Sequence, residues 1–199
     1  METNQATGRV DGRTARTERT RAAIVEATLA LIREGDLRPT AERIAERAGI
    51  SLRGLWTKFK DMETLIGAAG ERVLQLQIAA TEPIPPALPL PRRIDEFCRQ
   101  RARLLEHVAP SARAAAVKEP FSAQLRHTRR RHLDLVRSQL EDLFGAELDR
   151  LGPDRDATVH ALTAAATWSA WSVHRDVLGL DPDAAREAMT RTVTALLTR

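Results

Sequence analysis

A short stretch at residues 51–59 contains polar side chains that can hydrogen-bond to nucleic acid. An arginine such as Arg53 can bridge O6 and N7 of guanine, whereas Thr57 and Lys58 suit phosphate oxygens. If the stretch is helical, these three residues and Gly54 face away from its apolar residues. The pattern therefore predicts a recognition helix, and a solvated polar face is the alternative interpretation.

The residues before this stretch predict another short helix. Ala41, Ile44, Ala45 and Ala48 recur with the spacing of one helical face. Gly49 follows, and glycine readily ends a helix in the left-handed conformation. A helix, a glycine-containing turn and a second helix make up the sequence form of a helix-turn-helix.

Polar residues at three positions are suited to begin helices in this region. Thr40 and Ser51 precede the two short helices and Asp61 precedes a third, so each side chain can accept a free backbone N–H. A further helix expected at residues 17–34 would pack across the helix-turn-helix and complete a three-helix unit. The inward face expected for the second helix consists of Leu52, Leu55, Trp56 and Phe59.

Over about residues 21–76 the chain resembles the DNA-binding segment of the TetR family of bacterial transcriptional regulators. The family usually has Tyr at the position of Trp56 and Lys at that of Met62, and both positions commonly contact DNA phosphates. Arg53 and Gly54 stand where the family commonly has a small residue and Thr, which implies an unusual base preference. The resemblance rests on Thr40, Ile44, Ala45, Ala48, Gly49, Ile50, Ser51, Leu55, Trp56, Phe59, Glu63 and Leu65.

The resemblance implies a homodimer that binds a near-palindromic operator in double-stranded DNA and releases it on binding a small-molecule effector. Most such regulators are repressors. The alternative is a helical small-molecule-binding or interaction protein with weakened DNA binding, since Met62 and Gly54 depart from the family pattern. The residues expected to contact DNA are Thr40, Ser51, Arg53, Gly54, Trp56, Thr57 and Lys58.

Positive charge is concentrated near the helix-turn-helix. Residues 1–60 contain 12 Lys and Arg against 8 Asp and Glu, and residues 61–199 contain 19 against 19, so the net charge of +4 lies in the first part. Residues 1–15 are polar and without period, and we expect a basic arm without regular structure. A solvated tail and an arm that follows the DNA backbone are both open interpretations.

The rest of the chain is divided into helices by proline and glycine, and no segment alternates in the manner of a strand. The sequence predicts an all-α fold of about nine helices. We expect a DNA-binding domain at residues 16–66, and a ligand-binding and dimerisation domain at residues 67–199 with a proline-rich connector at residues 82–91. Because proline is tolerated at helix starts, helices are expected at residues 91–108, 110–118, 120–144, 153–178 and from residue 182 to the C-terminal region.

Two tryptophans, Trp168 and Trp171, lie one turn apart on the helix expected at residues 153–178. For each Trp alone, an ordinary core or subunit contact is the more common role. As a set with neighbouring polar groups they are typical of a ligand-pocket wall, which the family resemblance favours. The residues expected at the pocket are Phe97, Arg101, Leu104, Phe121, Leu125, Trp168 and Trp171.

An alanine-rich face on the same helix and an apolar stripe on the last helix can bring two copies of the chain together. Small side chains suit close helix packing, and the family usually dimerises through a four-helix bundle at this place. Burial against the chain's own helices is the alternative interpretation. The residues expected at the dimer interface are Ala164, Ala185, Met189, Val193 and Leu196.

Other functional classes find no support in the sequence. The five histidines lack metal-ligand spacing, and no nucleophile motif, phosphate loop or dinucleotide fingerprint occurs. We therefore expect no metal, no cofactor and no enzyme activity. Cys98 is the single cysteine, which excludes an internal disulfide. No apolar run is long enough for a membrane span and no secretory signal occurs, so we expect a cytoplasmic protein.

Overall fold

The computed structural model describes the backbone of residues 6–198 and the side chains of residues 14–198. Over this range the fold is all-α, as predicted, with nine α-helices and no strand. None of these helices is long and apolar enough to cross a bilayer. The helices are α1 (Ala6–Arg33), α2 (Ala41–Arg47), α3 (Leu52–Lys58), α4 (Met62–Ala79), α5 (Leu90–Lys118), α6 (Ala123–Asp149), α7 (Arg155–Ala165), α8 (Trp168–Ser172) and α9 (Pro182–Leu197). Short 3₁₀ turns lie at Glu119–Phe121 and Gly152–Asp154, and a π-helical turn lies at Val173–Val177.

Helices α1, α2, α3 and the first half of α4 enclose one small core. Ile24, Ile44, Leu55 and Leu65 are fully buried in it. Gly49 has a φ of 66° in the turn between α2 and α3, which is the left-handed backbone predicted there. The predicted helix-turn-helix is confirmed, and its three-helix core extends into α4.

The predicted N-caps of α2, α3 and α4 are also confirmed. The side chains of Thr40, Ser51 and Asp61 each accept a hydrogen bond from the backbone N–H three residues later, at 3.4, 3.1 and 2.8 Å. The backbone N–H and hydroxyl of Thr64 both donate to Asp61, and these bonds hold the pKa of Asp61 below its usual value. Local sequence therefore determines where these helices begin.

Helices α5, α6, α7 and α9 form a second core. Helix α5 packs against α9, and α6 packs against α7. The rings of Phe97 and Phe144 meet edge to face, with centroids 5.9 Å apart. Leu140, Leu162 and Trp171 are at most 1% exposed in the same cluster. This core is larger than the first and holds most of the bulky side chains.

We call the helices around the first core the first unit and those around the second core the second unit. Helix α4 belongs to both, because it contributes to the first core and packs against α6. Gly67 and Gly70 permit the close approach to α6. A Cβ added at these positions would lie 3.2 Å from Gln124 or 3.1 Å from Thr128. The boundary predicted between residues 66 and 67 thus lies inside a continuous helix.

Helix α5 is continuous through Pro110, whereas the sequence predicted separate helices at residues 91–108 and 110–118. A proline inside a helix removes one hydrogen bond and normally favours a break. Here Val108 and Ala109 are each 6% exposed, and we attribute the continuity of the helix to this burial.

Helix α6 continues past Phe144, where the sequence predicted its end. The hydroxyl of Ser122 caps its first turn, so Pro120 precedes the helix instead of opening it. Phe144 has φ −118° and ψ 16°, which marks a kink within the helix. Arg93 donates to the carbonyl of Leu143 at 2.7 Å, so a side chain enters the hydrogen-bond ladder beside the kink.

The single helix predicted at residues 153–178 is broken into α7, α8 and the π-helical turn. Thr167 adopts extended backbone, with φ −93° and ψ 162°, and its hydroxyl oxygen accepts from the N–H of Ala170 at 3.5 Å. A threonine that caps a new helix competes with continuation of the old one. The end predicted at Gly179 is confirmed, with a φ of 68°.

The arm predicted at residues 1–15 to lack regular structure is helical from Ala6 onward. Helix α1 begins there and not near Thr17. The segment contains no proline, so no residue of it forbids the helix, although Gly8 and Gly12 disfavour one. Residues 1–5 of the predicted arm lie outside the described residues. In the connector, four of the five prolines precede α5 and Pro91 lies in its first turn.

Candidate nucleic-acid interface and internal cavity

Helix α3 has one exposed polar side, which we call the outer face and define by Ser51, Arg53, Trp56 and Thr57. Leu55 on the opposite side is fully buried in the first core. The core thereby fixes the rotation of α3, and the outer face is presented to solvent.

Two residues of the outer face have free hydrogen-bonding groups. Neither Arg53 nor Trp56 makes a hydrogen bond or an ion pair with another described residue. The guanidinium of Arg53 can therefore reach two acceptors on one base without losing an existing contact. Trp56 is 38% exposed, so the prediction that it faces inward is wrong, while its position on the outer face suits a contact to DNA.

The two capping residues also keep a donor available. Thr40 and Ser51 accept backbone N–H groups through their oxygens, which leaves each hydroxyl proton free for a phosphate oxygen. Thr57 differs, because its hydroxyl donates to the carbonyl of Gly54 at 2.7 Å. A phosphate contact from Thr57 would require that bond to break.

Lys58 lies on a different side of α3 from the one predicted. It is half-buried, and its Nζ donates to the hydroxyl of Thr17 on α1 at 3.3 Å. Arg21 of α1 donates to the carbonyl of Lys58 and stacks 4.2 Å from the ring centroid of Phe59. These contacts attach the end of α3 to α1, so Lys58 stabilises the unit in this conformation and does not point outward.

Two further positions of α3 bear on the interface. Leu52, predicted to be buried, is 37% exposed, because it is the first residue of α3 and lies beyond the small core. Gly54 leaves room for the cap, since a Cβ there would approach the Ser51 hydroxyl oxygen to 3.3 Å. The outer face is therefore flat at Gly54 and partly apolar at its start.

The arginines of α2 are paired with acidic residues on the preceding segment. Arg47 donates to Glu34 at 3.0 Å and lowers the pKa of that carboxyl. Arg43 pairs with Asp36 in the same way. Exposed pairs of this kind contribute little to stability, but they hold α2 against the end of α1.

A cavity of about 310 Å³ lies between the first unit and the second core. Its walls come from α1, α4, α5, α6 and residues 167–172. Pro39, which directly precedes the cap of α2, and Met62, the first residue of α4, are part of the lining. The cavity therefore reaches the segments that hold the helix-turn-helix.

Three of the seven predicted pocket residues line this cavity, namely Arg101, Leu125 and Trp168. The other four lie elsewhere for identifiable reasons. Phe97 and Trp171 are buried in the second core, and Trp171 donates through Nε1 to Glu106 at 2.7 Å. Leu104 is buried but does not line the cavity, and Phe121 is 91% exposed because it ends the 3₁₀ turn before α6.

Arg101 is the most deeply buried charged group of the cavity lining, at 6% exposure. Its Nε donates to the carbonyl of Ala166 at 2.7 Å. No described carboxylate pairs with it, and its terminal nitrogens have no other hydrogen-bond partner among the described residues. Burial lowers the pKa of Arg101 to about 10, so the side chain is a cation at neutral pH that lacks a counter-ion.

The other titratable groups of the cavity reflect its low polarity. Burial, reinforced by Arg101 and Arg131, lowers the pKa of His132 to about 4, so the imidazole is neutral at pH 7. Burial also lowers the pKa of Lys118. No group of three potential metal ligands occurs among the side chains of residues 14–198.

The predicted dimer residues are divided between core and surface. Ala185, Met189 and Val193 are at most 1% exposed, since α9 packs them against α5 and α7. They close the chain's own core, so the prediction of an interface at these three positions is wrong. Leu196 is half-buried against the same core, and Ala164 on α7 is exposed.

Solved structures of transcriptional regulators have this fold. One, a transcriptional regulator from Rhodococcus sp. Rha1, superposes with a TM-score of 0.67 at 19% identity, covering 92% of this chain and 96% of that chain. The other, a candidate TetR-family transcriptional regulator from Mesorhizobium loti, gives 0.64 at 19% identity, covering 92% and 97%. No protein-family model matches the sequence, and no curated protein matches it. At this identity the comparison establishes the fold alone.

Sequence reasoning missed several residues that the structure brings to the site. Met62 was noted only as a departure from the family pattern, yet it lines the cavity. His132 and Lys118 were not expected near a ligand. The only sequence signal for these was their place on predicted helices, because the facing elements are distant in the chain.

Proposed function

We propose that the chain is a TetR-like transcriptional regulator that binds double-stranded DNA through the outer face of α3. The observation that supports this most directly is the free guanidinium of Arg53 on the exposed side of a capped helix-turn-helix. Trp56, Thr40 and Ser51 supply neighbouring donors for phosphates. The likeness in fold to solved transcriptional regulators agrees with this assignment.

A small-molecule effector that fills the cavity would control DNA binding, in most cases by releasing a repressor from its operator. The lining includes Met62, Ile66 and Ala69 of α4 and Pro39 beside α2. A ligand there contacts the same helix whose start supports the helix-turn-helix. A ligand can shift DNA affinity only by the factor by which its own affinity differs between the DNA-binding conformation and the released conformation.

A homodimer would place two copies of α3 on a near-palindromic operator and double the base contacts. We assign the interface to the exposed sides of α7 and α9, where Ala164 and Ala195 leave room for a second helix. This interface replaces the one predicted from the sequence at Ala185, Met189 and Val193, which are buried in the chain's own core. The exposed Thr192 lies beside Ala195 on α9.

The experiment that tests the DNA assignment is selection of duplexes from a random pool by the full chain. A DNA-binding regulator enriches a motif with two inverted half-sites, because the protein symmetry is reflected in its site. A pool that remains random after selection contradicts the assignment.

The second candidate is a helical ligand-binding protein with weakened DNA binding. It is favoured by Met62, which turns towards the cavity, and by Lys58, which is held by Thr17. A lysine at position 62, as the family usually has, and an outward-pointing Lys58 would each provide a cationic contact to a phosphate. A chain that binds small molecules but enriches no duplex would support this candidate.

A further inference from the structure

We propose that the cavity binds an organic acid, a molecule with an apolar body and one carboxylate, and that Arg101 receives the carboxylate. The assignment specifies the chemical class of the effector, and its regulatory meaning rests on the proposed function. The binding itself does not depend on DNA.

Arg101 is a buried cation that lacks a carboxylate partner among the described residues. A guanidinium that is 6% exposed has lost most of its hydration, and its single described partner is the Ala166 carbonyl at 2.7 Å. Burying a charge is costly unless a counter-ion and hydrogen bonds compensate it. The terminal nitrogens on the cavity side match the two oxygens of a carboxylate in a fork geometry.

Another buried arginine of the same chain, Arg93, has the carboxylate partner that Arg101 lacks. Arg93 is similarly buried, but it donates to both oxygens of Glu147 at 3.0 and 2.7 Å and to the carbonyl of Leu88 at 2.9 Å. The protein thus supplies a carboxylate where a buried arginine is structural. At Arg101 no described carboxylate occupies the corresponding position, which opens onto the cavity.

The cavity lining carries more cationic than acidic side chains. The charged residues are Arg101, Lys118, Arg129 and Glu119. The single carboxylate, Glu119, already pairs with Arg129 at 2.9 Å. Arg101 therefore faces the cavity without an acidic partner among the described residues, whereas Lys118 lies near Arg38 and Asp36, whose charges act on it in opposite directions. A cationic ligand would be repelled by Arg101, and a neutral ligand would leave its charge without a counter-ion.

The remaining wall of the cavity is mostly apolar. The volume of about 310 Å³ is at the small end of the range for ligand sites. Ligand size is thus limited to a compact or single-chain acid. The apolar wall consists mainly of Ile66, Val73, Leu105, Val108, Leu125, Leu133, Val136 and Trp168.

The test compares acids with the matching alcohols on the purified full chain without DNA. Suitable probe pairs are hexanoate with hexan-1-ol, decanoate with decan-1-ol, and 4-phenylbutyrate with 4-phenylbutan-1-ol, measured by calorimetry. At least one acid should bind roughly 10- to 100-fold more tightly than its alcohol, as a hydrogen-bonded carboxylate allows. In Arg101→Met this preference should fall to about one, with the affinity for the alcohol nearly unchanged.

Arg103→Met is the matched control, because Arg103 lies two residues along α5, is exposed and has no described partner. Its preference for the acid should equal that of the unmodified chain. If Arg101→Met does not fold, Arg101→Gln replaces it, since the amide can still donate to the Ala166 carbonyl.

Two results would overturn the proposal. One is that no acid of the set binds more tightly than its alcohol. The other is that a folded Arg101 variant keeps the preference. Either result leaves DNA binding unaffected, and loss of DNA binding leaves this result unaffected, so the two proposals fail separately.

Discussion

Three arginines in this chain differ in what surrounds the guanidinium, and the difference assigns each a separate role. Among the described residues, Arg53 is exposed and has no partner, Arg93 is buried against Glu147, and Arg101 is buried without a carboxylate. Only the first can reach a large external partner. The second holds helices together, and the third faces a cavity.

Replacing Arg53 by Ala should relax base preference more than it weakens binding overall. The lost bidentate contact costs about 1–3 kcal/mol at one base pair. Binding-site selection with the variant would reveal one position of the motif becoming random. Arg103→Ala, a matched exposed arginine on α5, should leave the motif unchanged.

An Arg53→Ala variant that selects the same motif as the unmodified chain would contradict this role. Lys58→Ala provides a useful comparison. Because Lys58 contacts Thr17, we expect Lys58→Ala to lower the stability of the first unit and to weaken binding to all DNA sequences alike.

His132 should make the chain less stable between about pH 6.5 and pH 4. Burial lowers its pKa to about 4, so below pH 6.5 the unfolded chain takes up a proton that the folded chain does not. Stability therefore falls as the pH falls through this window. The full effect of the shift is about 3 kcal/mol, and we expect roughly 1–3 because His132 is only partly buried.

Urea unfolding of His132→Gln at pH 6.5 and 4.5 would measure this. The variant should lose less stability than the unmodified chain over that interval. His127 on the same helix is exposed, so His127→Gln should behave like the unmodified chain. Equal losses in all three proteins would contradict the assignment.

At the scale of elements, local signals determine helix starts and tertiary packing determines where helices end or continue. The caps at Thr40, Ser51 and Asp61 were predictable because the capping bond lies within three residues. The continuation of α5 through Pro110 was not predictable, because the burial to which we attribute it comes from helices that are distant in the sequence. The same holds for Met189, whose apolar stripe is compatible with core or interface alike.

Breaking the Arg93–Glu147 pair should strongly destabilise the α5–α6 contact. Glu147→Ala would leave Arg93 buried and unpaired, at a cost of about 3–5 kcal/mol. The hydrogen bond from Arg93 lowers the pKa of Glu147 below 4.5. The contribution is thus present above about pH 4.5 and is lost as the pH falls through that lowered value.

Chemical unfolding at pH 7 would give the free-energy difference. Glu187→Ala is the control, because the Glu187–Arg191 pair has side chains 61% and 79% exposed. Removing that pair should change stability by less than about 0.5 kcal/mol. Equal effects of the two substitutions would contradict a structural role for Glu147.

At the scale of the whole molecule, the cavity lies where the two units meet. Helix α4 is shared by both units, and its first residue lines the cavity. Sequence reasoning placed the boundary at residues 66 and 67 because it could not detect the contact between α4 and α6. A cavity formed by residues far apart in sequence, such as Thr28 and Trp168, has no local signal at all.

The dimer proposal predicts that Ala164→Arg combined with Ala195→Arg gives monomers that remain folded. Both positions are exposed, so the added charges disturb a partner and not the core. Light scattering at micromolar concentration would report the mass. Ser138→Arg on the exposed side of α6 is the control and should stay dimeric. A monomeric unmodified chain, or a double variant that stays dimeric, would contradict the proposed interface.

Sequence-selective DNA binding by the outer face of α3 can be measured in a single titration. The full chain is titrated against its selected duplex and a scrambled duplex by fluorescence anisotropy at several salt concentrations. We predict binding to the selected duplex at least about 1,000-fold tighter than to the scrambled one. We also predict affinities that fall linearly in log–log form with salt, as phosphate contacts require. Equal affinity for the two duplexes, or no binding at any salt concentration, would contradict the claim.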